Sequence, residues 1–199
     1  MKEIFSGIWQ WSIFNQDKQI DFNGWCVKRG DEVVVIDPPT PSQDVLAAIQ
    51  KIGRPTAVLL TNKHHTRATE VIRRNFDSLV WIHEADKKLM EIPVDRTFKS
   101  GDSLPCGLQA VTVKDGKTPG ETAFFLSGEA PILFVGDALI GKPSGSVSML
   151  PADKFKDPDR AKEGLKVLLK YKFEALLLGD GEPILSNGRG ILQTFLKPA

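Results

Sequence analysis

Five short apolar runs in this chain each end in a polar loop, and that recurrence constrains the fold more than any other feature. Val33–Ile36 ends in Asp37-Pro38-Pro39, Ala57–Leu60 in TNKHHTR, Leu108–Val113 runs on to GKTPG, Ile132–Val135 ends in Gly136-Asp137, and Ala175–Leu178 in GDGEP. A run that is apolar at nearly every position reads as a strand covered on both faces. Polar residues that recur just after such strands can gather above one edge of a sheet, where ligands of α/β folds collect.

The intervening segments say what covers the strands. Ser42 is placed to cap a helix carrying Val45, Leu46 and Ile49, which stops near Gly53. The TNKHHTR turn leads into a second helical pattern of Ala68, Val71, Ile72 and Phe76. Leu79–Ile82 reads as a strand and Glu84–Met90 as a short helix. Upstream, GIWQWSIF puts Trp9, Trp11 and Ile13 on one strand face, with core packing as the role of the tryptophans and a pocket rim as the alternative. Asn23–Val27 and Glu32–Ile36 form a hairpin around Arg29-Gly30-Asp31. From 96 to 136 the pattern is mainly strand: Arg96–Phe98, Leu108–Val113, Thr122–Leu126 and Ile132–Val135. A GKPSGSVS connection, a helix over Asp159–Tyr171, the strand Ala175–Leu178 and a helix from near Asn187 complete the chain. With no repeat or internal linker, the 199 residues are expected to form a single α/β domain, a four-layer αββα sandwich.

Composition excludes several partners. The content of 41% apolar and 26% charged residues is that of an ordinary globular protein, and a formal net charge of +1 gives no basis for nucleic acid or an anionic membrane. The densest basic group, Lys162 to Lys172, falls on the predicted helix and reads as a solvated face. No run approaches the roughly 18 apolar residues that span a bilayer. The first residues, MKEIFSGIWQWSIF, lack the pattern of a secretion signal. Cys26 and Cys106 are far apart and without metal or redox spacing, so reduced core thiols and a cytoplasmic location are expected.

The order and spacing of the five loops resemble the metallo-β-lactamase superfamily from about Asn23 onward, most closely its small hydrolase-like members with VIDPP, GD-A-L and GSVSMLP style segments. The resemblance implies loop histidines and aspartates holding two divalent metals, usually zinc, with a bridging hydroxide that attacks the substrate. In the family's T-H-x-H-x-D-H frame, this chain has Asn62 for the first histidine, keeps the second as His64, and has Thr66 and Arg67 for the closing aspartate and histidine. Lys117 replaces the histidine of G-H-T-P-G, Asp137 is kept, and Asp180 replaces the histidine of G-H-G-x-P.

Those replacements point to a remnant pocket of Asp37, Asn62, His64, Thr66, Arg67, Lys117, Asp137 and Asp180. A buried carboxylate needs a cation, so Arg67 and Lys117 are expected to pair with Asp137 and Asp180 where the metals would lie. His65 and His83 read as packed or helix-entry histidines, and Glu121 and Glu182 as acceptors for loop backbone. The favoured function is a metal-free divergent or inactive hydrolase homologue that binds a small ligand in the old pocket. The alternatives are a hydrolase of ester, thioester, lactone or phosphoester type with one zinc, manganese or iron ion on His64, Asp137 and Asp180, and metal-independent catalysis by His64, Lys117 or Asp137. Neither substrate nor oligomeric state is encoded legibly.

Overall fold

The computed structural model describes residues 1–197; the expected domain ran to 199, and its last two residues lie outside the described part. Two sheets pack face to face. The first has seven strands in sequence order: β1 (Lys2–Phe5), β2 (Ile8–Asn15), β3 (Ile20–Arg29), β4 (Glu32–Ile36), β5 (Ala57–Leu59), β6 (Leu79–His83) and β7 (Arg96–Phe98). β1 to β4 are antiparallel. β4 to β7 are parallel, because a helical or 3-10 crossover returns the chain to the same edge each time. Helix α1 (Gln43–Ile52) joins β4 to β5, and α2 (Thr69–Phe76) joins β5 to β6.

The second sheet has the order β12-β11-β10-β9-β8, built from β8 (Ser103–Leu104), β9 (Leu108–Thr112), β10 (Thr122–Leu126), β11 (Ile132–Val135) and β12 (Ala175–Leu178). All its pairings are antiparallel except β11 with β12, which are joined through α3 (Pro158–Gly164). Helix α4 (Gly188–Leu196) follows β12.

Alternation along each strand sorts side chains into three apolar layers. Trp25, Val34, Ile36, Leu59, Phe124, Phe134 and Leu177 fill the space between the sheets. Val33, Val35, Val58 and Val80 face the other way onto Leu46 and Ile49 of α1 and Ile72 and Phe76 of α2. Leu133, Val135, Leu176 and Leu178 face Leu165 and Leu168 of the α3 segment and Leu192 of α4. Helix, sheet, sheet, helix is the sandwich expected from the strand pattern.

Several boundaries differ from expectation. Glu84–Met90 contains only a 3-10 turn at Lys87–Leu89. The long helix over Asp159–Tyr171 is a two-turn α3 followed by a 3-10 stretch, Leu165–Lys170. The break falls at Gly164, where a Cβ would overlap the Lys114 carbonyl oxygen, so the helix lies directly on that backbone. Two short edge strands, β1 and β8, carried too few residues to show a period. Trp11 is buried and its indole N–H donates to the Pro39 carbonyl at 3.1 Å, with Trp9 packed beside the same layer. Ile13 is 44% exposed, since β2 extends past the layer there.

Candidate functional site

The carboxyl ends of β4, β5, β11 and β12 meet at one edge of the sandwich, and the β9–β10 loop closes over them. Asn23 on β3 ties the sheets together there. Its side-chain amide donates to the carbonyls of Leu178 and Gly181 at 2.9 and 2.7 Å, and its backbone N–H to that of Gly179 at 2.8 Å. Thr122 N–H donates to the Thr61 carbonyl at 2.9 Å, a second link across the sandwich.

Asp37 follows β4 in the left-handed region, φ +48°, which an aspartate tolerates better than a branched residue. Its Oδ1 accepts the Thr61 N–H at 2.9 Å and its Oδ2 the Thr61 hydroxyl at 2.6 Å. Oδ2 also receives His65 Nδ1 at 2.7 Å, and the opposite ring nitrogen, Nε2, lies 3.5 Å from Asp137 Oδ1. His65 is therefore the centre of the cluster rather than a bystander. Its position in the frame gave no hint of this, because a 3-10 turn over Lys63–Thr66 swings the neighbouring His64 outward and His65 in. Gly179 leaves room for the ring: a Cβ there would stand 2.7 Å from His65 Cε1.

Two cations complete the cluster. Lys117 Nζ donates to Asp137 Oδ2 at 2.9 Å. Arg67 Nη2 donates to Asp180 Oδ1, and Arg67 Nη1 to the carbonyls of Asn23 and Gly179 at 3.4 and 3.3 Å. The guanidinium lies 4.3 Å from the centroid of the Phe22 ring, a cation–π contact that fixes its plane. Both ion pairs expected from the sequence are present. Asp37, Asp137 and Asp180, all buried, face His65, Arg67 and Lys117, so three carboxylates meet three cationic side chains.

The electrostatics follow from this packing. Burial and the Arg67 guanidinium push the His65 pKa down, but the Asp37 and Asp137 carboxylates outweigh them and raise it to about 10. Doubly protonated His65 then has no lone pair for Arg67 Nη2 at 3.2 Å, and the two cations share the carboxylates around them. For Asp137, burial works upward, but His65 and then Lys117 hold the carboxyl far below the usual range. Glu121 is fully buried; burial and then Asp137 raise its pKa well above the ordinary value, against His65 and Asn62.

The remaining predicted residues lie around this core. Asn62 is buried; its Oδ1 accepts the His64 N–H at 2.8 Å and its Nδ2 donates to Glu121 Oε1 at 3.3 Å. Glu121 thus accepts from a side chain, not from loop backbone as expected, and its other oxygen is buried without a partner. Glu182 is exposed. His64 is also exposed, its pKa lowered by what burial it has and by Lys117, against Asp137. With Lys63, Thr66, Leu89 and Glu91, His64 lines a cavity of about 220 Å³ beside the cluster. The donors that approach within 4.8 Å of one another are His65, Asp137 and Asp180, so His65 replaces His64 in the expected trio. His83 is a packed histidine, edge-on to Phe98 with centroids 5.9 Å apart.

Asp86 escaped notice in the sequence. It is fully buried and accepts from Lys63 N–H at 3.0 Å, Thr118 hydroxyl at 2.7 Å and Gly120 N–H at 2.8 Å. That carboxylate joins the histidine turn to the loop of Lys117.

The fold is an αββα sandwich with its polar cluster on loops at the strand ends. The profile of the metallo-beta-lactamase superfamily matches residues 1–198, and the chain belongs to that superfamily. It is 27% identical over 128 residues to the hydroxyacylglutathione hydrolase of Prochlorococcus marinus (strain MIT 9301), an alignment covering 62% of this chain and 52% of the relative. The chain thus matches about half the length of that enzyme. Among solved structures, TTHA1623 in a di-iron-bound form aligns at 26% identity and a TM-score of 0.72, covering 94% of this chain and 98% of its own. The DIM-1 metallo-beta-lactamase aligns at 15% identity and 0.76, covering 98% and 96%, a likeness of fold alone. Among the described residues no helix is long and apolar enough to cross a membrane.

Proposed function

We propose that this chain is a metal-free member of the superfamily, in which Lys117 and Arg67 hold Asp137 and Asp180 where metals would lie, and that the former pocket beside this cluster takes a small ligand. The single observation that carries the reading is the pairing of Lys117 with Asp137 and of Arg67 with Asp180. Ammonium and guanidinium groups cannot coordinate a metal while protonated, and each occupies the carboxylate a metal would need. Asn62 is engaged in capping the turn, Thr66 is a poor ligand, and His65 Nδ1 is bound to Asp37. This donor set does not fit the dinuclear centre of the di-iron relative. Space for a small ligand remains at the cavity of Lys63, His64, Thr66, Leu89 and Glu91.

A single-metal reading draws on the closeness of His65, Asp137 and Asp180. It requires Arg67 to leave Asp180 and His65 to give up its Nε2 proton. Metal analysis of protein purified without chelator separates the two. The metal-free reading expects far less than one equivalent of zinc, manganese or iron and a melting temperature unmoved by EDTA. About one equivalent, with a melting temperature that drops on chelation, would overturn it. Lys117→Met should cost about 3 kcal/mol in urea unfolding, because the buried Asp137 loses one of its two cationic partners.

A further inference from the structure

A cleft of about 750 Å³ opens between β9 and the α3 segment. Its volume is that of a site for a small organic molecule. Its lining holds four cations, Lys114, Arg160, Lys166 and Lys170, the donors Thr112 and His83, and two carboxylates, Asp115 and Glu163. We infer that this cleft binds a phosphorylated small molecule, with the phosphate on Lys114 and Lys170 and the organic part against Val167 and the lysine stems.

The charges in the cleft are unequal in what they already do. Arg160 is paired with Asp115 at 3.2 Å and Lys166 with Glu163 at 2.6 Å. Lys114 and Lys170 are exposed, and among the described residues neither has a carboxylate within ion-pair distance. Two unpaired ammonium groups at one cleft favour a dianion, and a phosphate monoester offers three strong acceptor oxygens. Lysine serves such groups as a mobile point charge.

Neutral donors complement the cations. The Thr112 hydroxyl is buried and finds no partner in the protein, the kind of group a ligand oxygen would satisfy. His83 Nδ1 accepts the Ala85 N–H at 3.2 Å, which fixes the proton of the neutral ring on Nε2 and makes that nitrogen a donor. Burial lowers the His83 pKa in spite of Asp86 and Glu84, so the neutral form is the one present at pH 7. The walls are held in place by Gly164, which seats α3 directly on the Lys114 carbonyl.

The test titrates the full chain with phenyl phosphate, inorganic phosphate and citrate, followed by calorimetry and by amide shifts of Thr112, Lys114 and Lys170. Phenyl phosphate should bind saturably below ~1 mM, more tightly than inorganic phosphate, and citrate should be the weakest. Lys114→Glu with Lys170→Glu, both exposed and outside the core, should weaken phenyl phosphate by about 100-fold and leave the melting temperature unchanged. No saturation by ~10 mM, equal binding of citrate, or equal affinity in the double variant would each overturn the assignment. Metal content plays no part in these readouts, so the result is independent of the function proposed above.

Discussion

A buried imidazole between two carboxylates keeps its second proton far above the ordinary histidine range. His65 does this between Asp37 and Asp137, with a pKa raised to about 10. A folded-state pKa above the unfolded value of roughly 6.5 means that the native state holds the proton more tightly. The resulting stability is present in full below about pH 6.5 and is lost as the pH rises through about 10. Urea unfolding across this window should therefore show the wild type losing about 2–4 kcal/mol between pH 7 and 10. His65→Gln should be less stable at pH 7 and nearly flat over the same range; a variant as steep as the wild type would show that His65 is not the titrating group. This role was illegible in the sequence, where His64 and His65 differ only by their place in a frame. Which of two adjacent histidines turns inward depends on the backbone of the 3-10 turn, in which Asn62 accepts the His64 N–H.

At the level of elements, the crossovers that make β4 to β7 parallel bring the chemistry-bearing loops to one edge. Their register was legible because each strand end is marked: Ser42 caps α1 through the Val45 N–H at 3.3 Å, and Gly53 ends that helix as expected. What joins the loops was less visible. Asp86 lies in a stretch that read as helix, yet it leaves the 3-10 turn to bind three donors from two other loops. Asp86→Ala would strand the Lys63 and Gly120 N–H groups and the Thr118 hydroxyl away from water. The expected cost is about 2–4 kcal/mol, with faster hydrogen exchange at Gly120 and looser seating of Lys117. Unchanged exchange at Gly120 would mean that the loop is held by other contacts.

For the molecule as a whole, the apolar layer between the sheets is expected to contribute more stability than the ion pairs at its edge. Phe134 is fully buried there, edge-on to Trp25 with centroids 6.0 Å apart. Phe134→Ala should cost about 3–5 kcal/mol by urea unfolding, at least as much as losing Lys117 from the cluster. A loss below about 1 kcal/mol would mean that the sheets can close over the cavity.

The strand pattern by itself pointed to the αββα architecture, the resemblance of its loops to the superfamily, and charge balance to Arg67 and Lys117 neutralising Asp137 and Asp180. The reason is that side-chain period and charge balance are local or pairwise properties that survive in a linear string. Tertiary structure alone decided that His65 rather than His64 faces the carboxylates. It alone buried Glu121 against Asn62 and placed Asp86 between two loops, because these depend on φ/ψ at single residues and on contacts across more than twenty positions. It also gathered Lys114, Lys170, Thr112 and His83 around one cleft from segments with no common motif. The backbone of the histidine turn chose which imidazole enters the site.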